Sequence, residues 1–128
     1  MEGKGLRKTV LIVDDDAGIR KAFARILQRN GYTADVASNG KEALQKVTAK
    51  KYDAALVDIC LPDLNGLELL DQMQRAHRNM VIIVITGNHI ESKEDIKADE
   101  YLLKPVNPED LIRLIEQKIA KKQANIGF

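Results

Sequence analysis

Apolar and polar residues follow two rhythms along this chain. Residues 8–13 (Lys-Thr-Val-Leu-Ile-Val) and 80–85 (Met-Val-Ile-Ile-Val-Ile) are short, β-branched apolar runs, and 53–57 (Asp-Ala-Ala-Leu-Val) reads as a further strand. Such runs suit strands covered on both faces. Between them the period changes. Ile19, Ala22, Phe23, Ile26 and Leu27 recur at i, i+3, i+4, i+7 and i+8, one face of a helix that Asn30-Gly31 ends. Tyr32 to Ala37 is a weaker, more polar strand suited to a sheet edge. Ser38 and Asn39 can cap a helix carrying Ala43, Leu44 and Val47. Pro62 to Gly66 is turn chemistry, and a helix with Leu67, Leu70 and Met73 follows. Glu100 to Leu103 reads as a short fifth strand. Asn107-Pro108 reads as N-cap and first helical residue, with Leu111, Ile112, Ile115 and Ile119 marking a last helix. Five alternations of strand and helix predict a five-stranded parallel sheet with helices on both faces.

Length and composition narrow this further. The 128 residues are the size of one domain, 1–128, with a core over about 8–120 and a tail at 121–128 where the helix frays into coil. Apolar residues make up 45% and charged residues 30%, which excludes disorder and collagen-like repeats. The 20 basic and 19 acidic residues leave a net charge of +1, so no global field steers the domain onto nucleic acid or a membrane. The single cysteine, Cys60, can form no internal disulfide. With no signal peptide and no membrane span in the pattern, the expected location is cytoplasmic.

Ligands of an open α/β sheet bind beyond the carboxyl ends of its strands. Those ends carry Asp14, Asp15 and Asp16 after the first strand, Asp58 after the third, Thr86 after the fourth and Lys104 after the fifth. Clustered carboxylates repel by about 4 kcal/mol per pair at an effective dielectric near 20. A hard divalent cation relieves that repulsion, and Mg²⁺ held this way often completes its sphere with phosphate oxygens. Lys104 and Thr86 can meet the remaining phosphoryl charge, and an aspartate can take a phosphoryl group as an acyl phosphate. The residues alone therefore point to Mg²⁺-assisted phosphoryl transfer with Asp58 as nucleophile. Asp16 reads as a helix cap, and His77 and His89 as solvated surface residues.

Four stretches in register, Val13-Asp14-Asp15-Asp16, Val57-Asp58 through Gly66, Ile85-Thr86-Gly87 and Tyr101-Leu102-Leu103-Lys104-Pro105, resemble the receiver domain of two-component response regulators. The resemblance covers about residues 8–120. It implies a flavodoxin-like (CheY-like) fold with strand order 2-1-3-4-5. It also implies that Asp58 accepts a phosphoryl group from the phosphohistidine of a sensor histidine kinase or phosphotransfer protein. Asp15, Asp58 and the Cys60 backbone carbonyl would ligate Mg²⁺, with Asp14 acting through water. Thr86 and Tyr101 match the family's switch pair, Lys104 its phosphate-contacting lysine, and the Lys104-Pro105 bond is expected to be cis.

Rival functions are weaker on particular residues. An aspartate-nucleophile phosphatase needs an acid two residues after its nucleophile, where this chain has Cys60. No G-x-x-x-x-G-K-[ST] loop supports nucleotide binding. A phosphorylation-independent interaction module would not need every key position filled. One departure from the family stands out. Only 17 residues separate Thr86 from Lys104, about four fewer than usual, or roughly one helical turn. The expectation is a stunted fourth helix around 91–97, and a changed surface for partners. Asn88 and Gly87 are expected to influence acyl-phosphate lifetime, a side chain at 87 crowding the phosphoryl group. No DNA-binding helix-turn-helix fits after about residue 120, so the expectation is either a single-domain regulator or a receiver cut from a longer chain, acting through a partner protein or an output domain.

Overall fold

The computed structural model describes residues 7–59, 65–87 and 98–126. Strands β1 (Thr9–Val13), β2 (Thr33–Ala37), β3 (Ala54–Val57), β4 (Val81–Thr86) and β5 (Glu100–Leu103) alternate with helices α1 (Ala17–Arg29), α2 (Gly40–Ala49), α3 (Gly66–Ala76) and α4 (Pro108–Ile126). The strands form one parallel sheet, as the alternation predicts, in the order β2-β1-β3-β4-β5 that the family resemblance implies. The expected short helix at 91–97 and His89 lie outside the described residues.

The sheet separates two apolar layers. Val10, Ile12, Leu56, Ile83 and Ile85 pack with Leu27, Leu111 and Ile115, from α1 and α4. Leu11, Val13, Val57, Ile82 and Val84 pack with Val47, Leu69 and Met73, from α2 and α3. Neighbouring strand residues thus enter opposite layers, which is why β1, β3 and β4 are apolar at nearly every position. β2, on one edge, is only half-buried over four of its five residues.

Local chemistry sets the helix ends. Asp16 caps α1, its side chain accepting from the Ile19 N–H at 3.1 Å. Gly31, at φ 88°, turns the chain out of α1 in a conformation that favours glycine. Asn39 caps α2 by accepting from Glu42 N–H, and Asn65 caps α3 through the N–H groups of Leu67 and Glu68. Asn107 accepts from Glu109 and Asp110, which places Pro108 at the first helical position as expected.

Two expectations need correction. The helix does not fray at 121: α4 continues to Ile126, and Lys122 on it donates to the Met80 carbonyl at 3.0 Å and to both oxygens of Asp99. Those bonds fasten its last turns to the sheet, which polar composition alone does not reveal. His77 is not a solvated residue either. It is half-buried at the end of α3, with Nε2 2.6 Å from the Val47 carbonyl.

Candidate functional site

Each candidate side chain owes its place to a strand end. Backbone bonds tie these ends together: Asp14 N–H donates to Ala37 O at 3.1 Å, Asp58 N–H to Val13 O at 2.9 Å, and Lys104 N–H to Thr86 O at 2.9 Å. Residues 14, 58, 86 and 104 are therefore fixed by the same ladder that builds the sheet.

Asp14, Asp58 and Lys104 meet there. Lys104 Nζ lies 3.0 Å from Asp14 Oδ2 and 3.2 Å from Asp58 Oδ2. Asp14 is 3% exposed and Asp58 7%, so both carboxylates have lost most of their water and depend on such contacts. The other Asp14 oxygen, Oδ1, accepts from the Asp16 N–H at 2.9 Å. Burial pulls the Lys104 ammonium down, but hydrogen bonds to Asp14 and Asp58 and their charges outweigh it and raise its pKa above the ordinary value.

Asp15 is exposed at the mouth of this cluster. One carboxylate oxygen each from Asp14, Asp15 and Asp58 lies within 4.8 Å of the others. Three carboxylates carry more negative charge than the Lys104 ammonium offsets. An all-oxygen donor set of that size and charge fits a hard divalent cation. Asp16 is not in the group; its carboxylate caps α1.

Thr86 is fully buried at the end of β4. Tyr101, on β5, pairs in register with Val84 and is half-buried against the layer that holds Leu11, Val13 and Val84. Thr86 is two residues beyond Val84 on the same strand, so alternation turns it toward Tyr101's side of the sheet. The Lys104-Pro105 bond is cis, as expected. Cys60 and Asn88 lie outside the described residues. Among the described residues, a Cβ built on Gly87 meets nothing within 4 Å.

Two residues have roles here that the sequence pattern did not single out. Gly66 reads as a turn glycine, yet a Cβ on it would stand 2.4 Å from the Ile59 carbonyl oxygen, next to Asp58. Arg20 reads as one of several polar residues between apolar positions. Its guanidinium donates to the Asp14 backbone carbonyl at 2.7 Å. Its place one turn into the helix behind an acidic strand end is the available signal, and reach alone does not say which way a long side chain bends.

The family model for the response regulator receiver domain matches residues 10–116. The response regulator MprA of Mycobacterium ulcerans is 36% identical over 107 residues, covering 80% of this chain and 46% of its own length. The chain thus spans about half the length of the curated relatives it matches. A CheY-like receiver domain protein from Methanospirillum hungatei superposes with a TM-score of 0.89 at 35% identity, covering 93% of this chain and 98% of the other. The response regulator TrrA of Thermotoga maritima, solved in complex with Mg(2+)-BeF, gives a TM-score of 0.77 at 33% identity over 87% of this chain and 98% of its own. The chain belongs to the response regulator receiver domain family.

Proposed function

We propose that this chain is one receiver unit that takes a phosphoryl group onto Asp58 from the phosphohistidine of a sensor kinase or phosphotransfer protein. The observation that carries the reading is Lys104 bridging Asp14 and Asp58 beside the exposed carboxylate of Asp15. In the transfer, an Asp58 carboxylate oxygen bonds to phosphorus while the phosphorus–nitrogen bond breaks, its electron pair going to the departing imidazole. The Lys104 ammonium is placed to pair with the new phosphoryl charge, and its raised pKa keeps it protonated at neutral pH. Asp15 and Asp58 would hold Mg²⁺ with the Cys60 carbonyl, and Asp14 through water; TrrA's complex with Mg(2+)-BeF supports that assignment. Bound there, the ion offsets negative charge on the carboxylates and the incoming phosphoryl oxygens.

Thr86 and Tyr101 carry the conformational response, Thr86 reporting the phosphoryl group at the end of β4 and Tyr101 the state of β5. The chain is thus a switch whose own residues assist its phosphorylation, acting on a partner protein or an output domain. The reading carries a cytoplasmic location for the chain; among the described residues no helix is long and apolar enough to cross a membrane. Labelling with a small acyl phosphate and Mg²⁺ tests the reading. The expected result is about one acid-labile phosphate per chain, lost in Asp58→Asn. Undiminished labelling of that variant overturns the assignment, and continuous turnover of external phosphoesters points instead to a phosphatase.

A further inference from the structure

The acidic turn after β1 is held at its backbone as well as at its side chains. Asp14 has both carboxylate oxygens engaged, Oδ1 by the Asp16 N–H and Oδ2 by Lys104. Asp16 is spent on capping α1 through Ile19. Asp15 is different. It is exposed, and among the described residues no hydrogen bond or ion pair holds its carboxylate. The backbone therefore fixes the point and direction from which the Asp15 side chain starts, and that backbone begins with the Asp14–Asp15 peptide.

Arg20 holds that peptide. Its guanidinium donates to the Asp14 carbonyl at 2.7 Å, six residues back along the chain. The short distance marks a charge-assisted bond, stronger than a neutral pair. The anchor is rigid at its other end too, because the Arg20 N–H donates to Asp16 O at 3.1 Å in the first turn of α1. Arg20 thus closes a loop of contacts around residues 14–16, fixing the peptide plane from which Asp15 projects.

We infer that Arg20 is a positioning residue, which orients Asp15 toward a divalent cation by clamping the Asp14 carbonyl. The inference rests on the reading of Asp15 as a metal ligand. It opposes a simpler electrostatic expectation. A guanidinium bonded to the Asp14 carbonyl adds positive charge near the acidic turn, so on charge alone its removal should tighten cation binding. If positioning dominates, its removal weakens binding, because a mobile Asp15 must be ordered by the ion itself.

The two effects have opposite signs, so Mg²⁺ titration of the whole chain, followed by amide NMR shifts, separates them. Arg20→Met keeps the length of the side chain and removes charge and donor. It is expected to weaken Mg²⁺ affinity three- to tenfold, with a thermal midpoint without metal within a few degrees of wild type. Arg20→Lys, which keeps a charge and a donor, should recover most of that loss. In an Asp15→Asn background Arg20→Met should change affinity less than twofold, since the residue acts through Asp15. Unchanged or tighter binding by Arg20→Met overturns the inference, as does a loss of equal size in the Asp15→Asn background. Should Arg20→Met not fold, Arg20→Gln, uncharged and too short to reach the carbonyl, carries the same comparison. Failure of wild type itself to bind Mg²⁺ overturns the metal reading, and this inference with it.

Discussion

Lys104 and Asp58, 46 positions apart, meet as ammonium and carboxylate at 3.2 Å, and the same ammonium also serves Asp14. One cation thus balances two buried carboxylates, with Asp15 close by. Three carboxylates thus stand at short range, a repulsion that the proposed cation would relieve. The consequences for stability follow from counting which charges are compensated.

Replacing Asp58 by Asn removes one carboxylate and leaves Lys104 to pair with Asp14. Without divalent cations Asp58→Asn should therefore be more stable than wild type by about 1 kcal/mol, the relief of one partly screened repulsion less one lost ion pair. Urea unfolding in the presence of a chelator measures it. Added Mg²⁺ should then raise the wild-type midpoint more than that of the variant, because a ligand stabilises the folded state in proportion to its occupancy there. A less stable Asp58→Asn would show that the bond to Lys104 outweighs the repulsion.

Adjacent acids should behave unlike one another. Asp15 stands within 4.8 Å of the Asp14 and Asp58 oxygens, whereas the Asp16 carboxylate accepts from Ile19 N–H at the start of α1. Asp15→Asn is expected to reduce Mg²⁺ affinity at least tenfold with little effect on apo stability. Asp16→Ala should cost about 1 kcal/mol of stability, the worth of an N-cap, and leave affinity within about threefold. A larger loss of affinity in the Asp16 variant would reverse the assignment of the acids.

Gly66 offers a steric test. A methyl group there would meet the Ile59 carbonyl oxygen at 2.4 Å and the Ile59 Cβ at 2.5 Å, distances that force the backbone to move. Ile59 follows Asp58, so the displacement falls on the strand end that carries the proposed phosphoacceptor. Gly66→Ala should destabilise the fold by about 1–3 kcal/mol, as overpacking does, and should slow labelling of Asp58 under conditions where the chain remains folded. A stable variant with wild-type labelling would mean that the α3 start can shift without moving Asp58.

Much of this was legible in the sequence, for physical reasons that differ from place to place. The interior strands are buried on both faces, so Val10–Val13 and Val81–Ile85 read as strands without help from tertiary context. Parallel order then brings their carboxyl ends together, and Asp14, Asp58, Thr86 and Lys104 need no more than that to converge. Asp16 and Asn107 read as caps because capping is local. What the pattern did not show depends on long side chains and close approaches. Arg20 bends back to the Asp14 carbonyl, His77 reaches the Val47 carbonyl across α2, and Gly66 touches Ile59. The polar stretch after residue 120 looked like a tail because its anchor, Lys122, bonds to partners 42 and 23 positions away.

That anchor sits at the opposite end of the sheet from the site. Lys122 Nζ donates to the Met80 carbonyl at 3.0 Å and to Asp99 Oδ1 and Oδ2 at 3.1 and 3.0 Å, while Asp99 Oδ2 also accepts from the Ile82 N–H at 2.8 Å. The four groups join the end of α4 to the start of β4 and to the residue before β5. Lys122 and Asp99 are each about a quarter exposed, so part of the ion pair is screened by water. Lys122→Met, which preserves the aliphatic stem, should lower stability by about 1 kcal/mol, and 0.5 M salt should narrow the gap to wild type only in part, since the bond to the Met80 carbonyl is not an ion pair. Amide exchange of the last turns of α4 should quicken more than that of β1 or β3. The six residues of β4 put about 20 Å between this cluster and Thr86, with no shared hydrogen bond. Labelling rate and Mg²⁺ affinity should therefore stay within about twofold of wild type. A several-fold change in either would mean that β4 and β5 transmit strain from their amino ends to the proposed phosphorylation site, and that α4 takes part in the switch rather than only closing the fold.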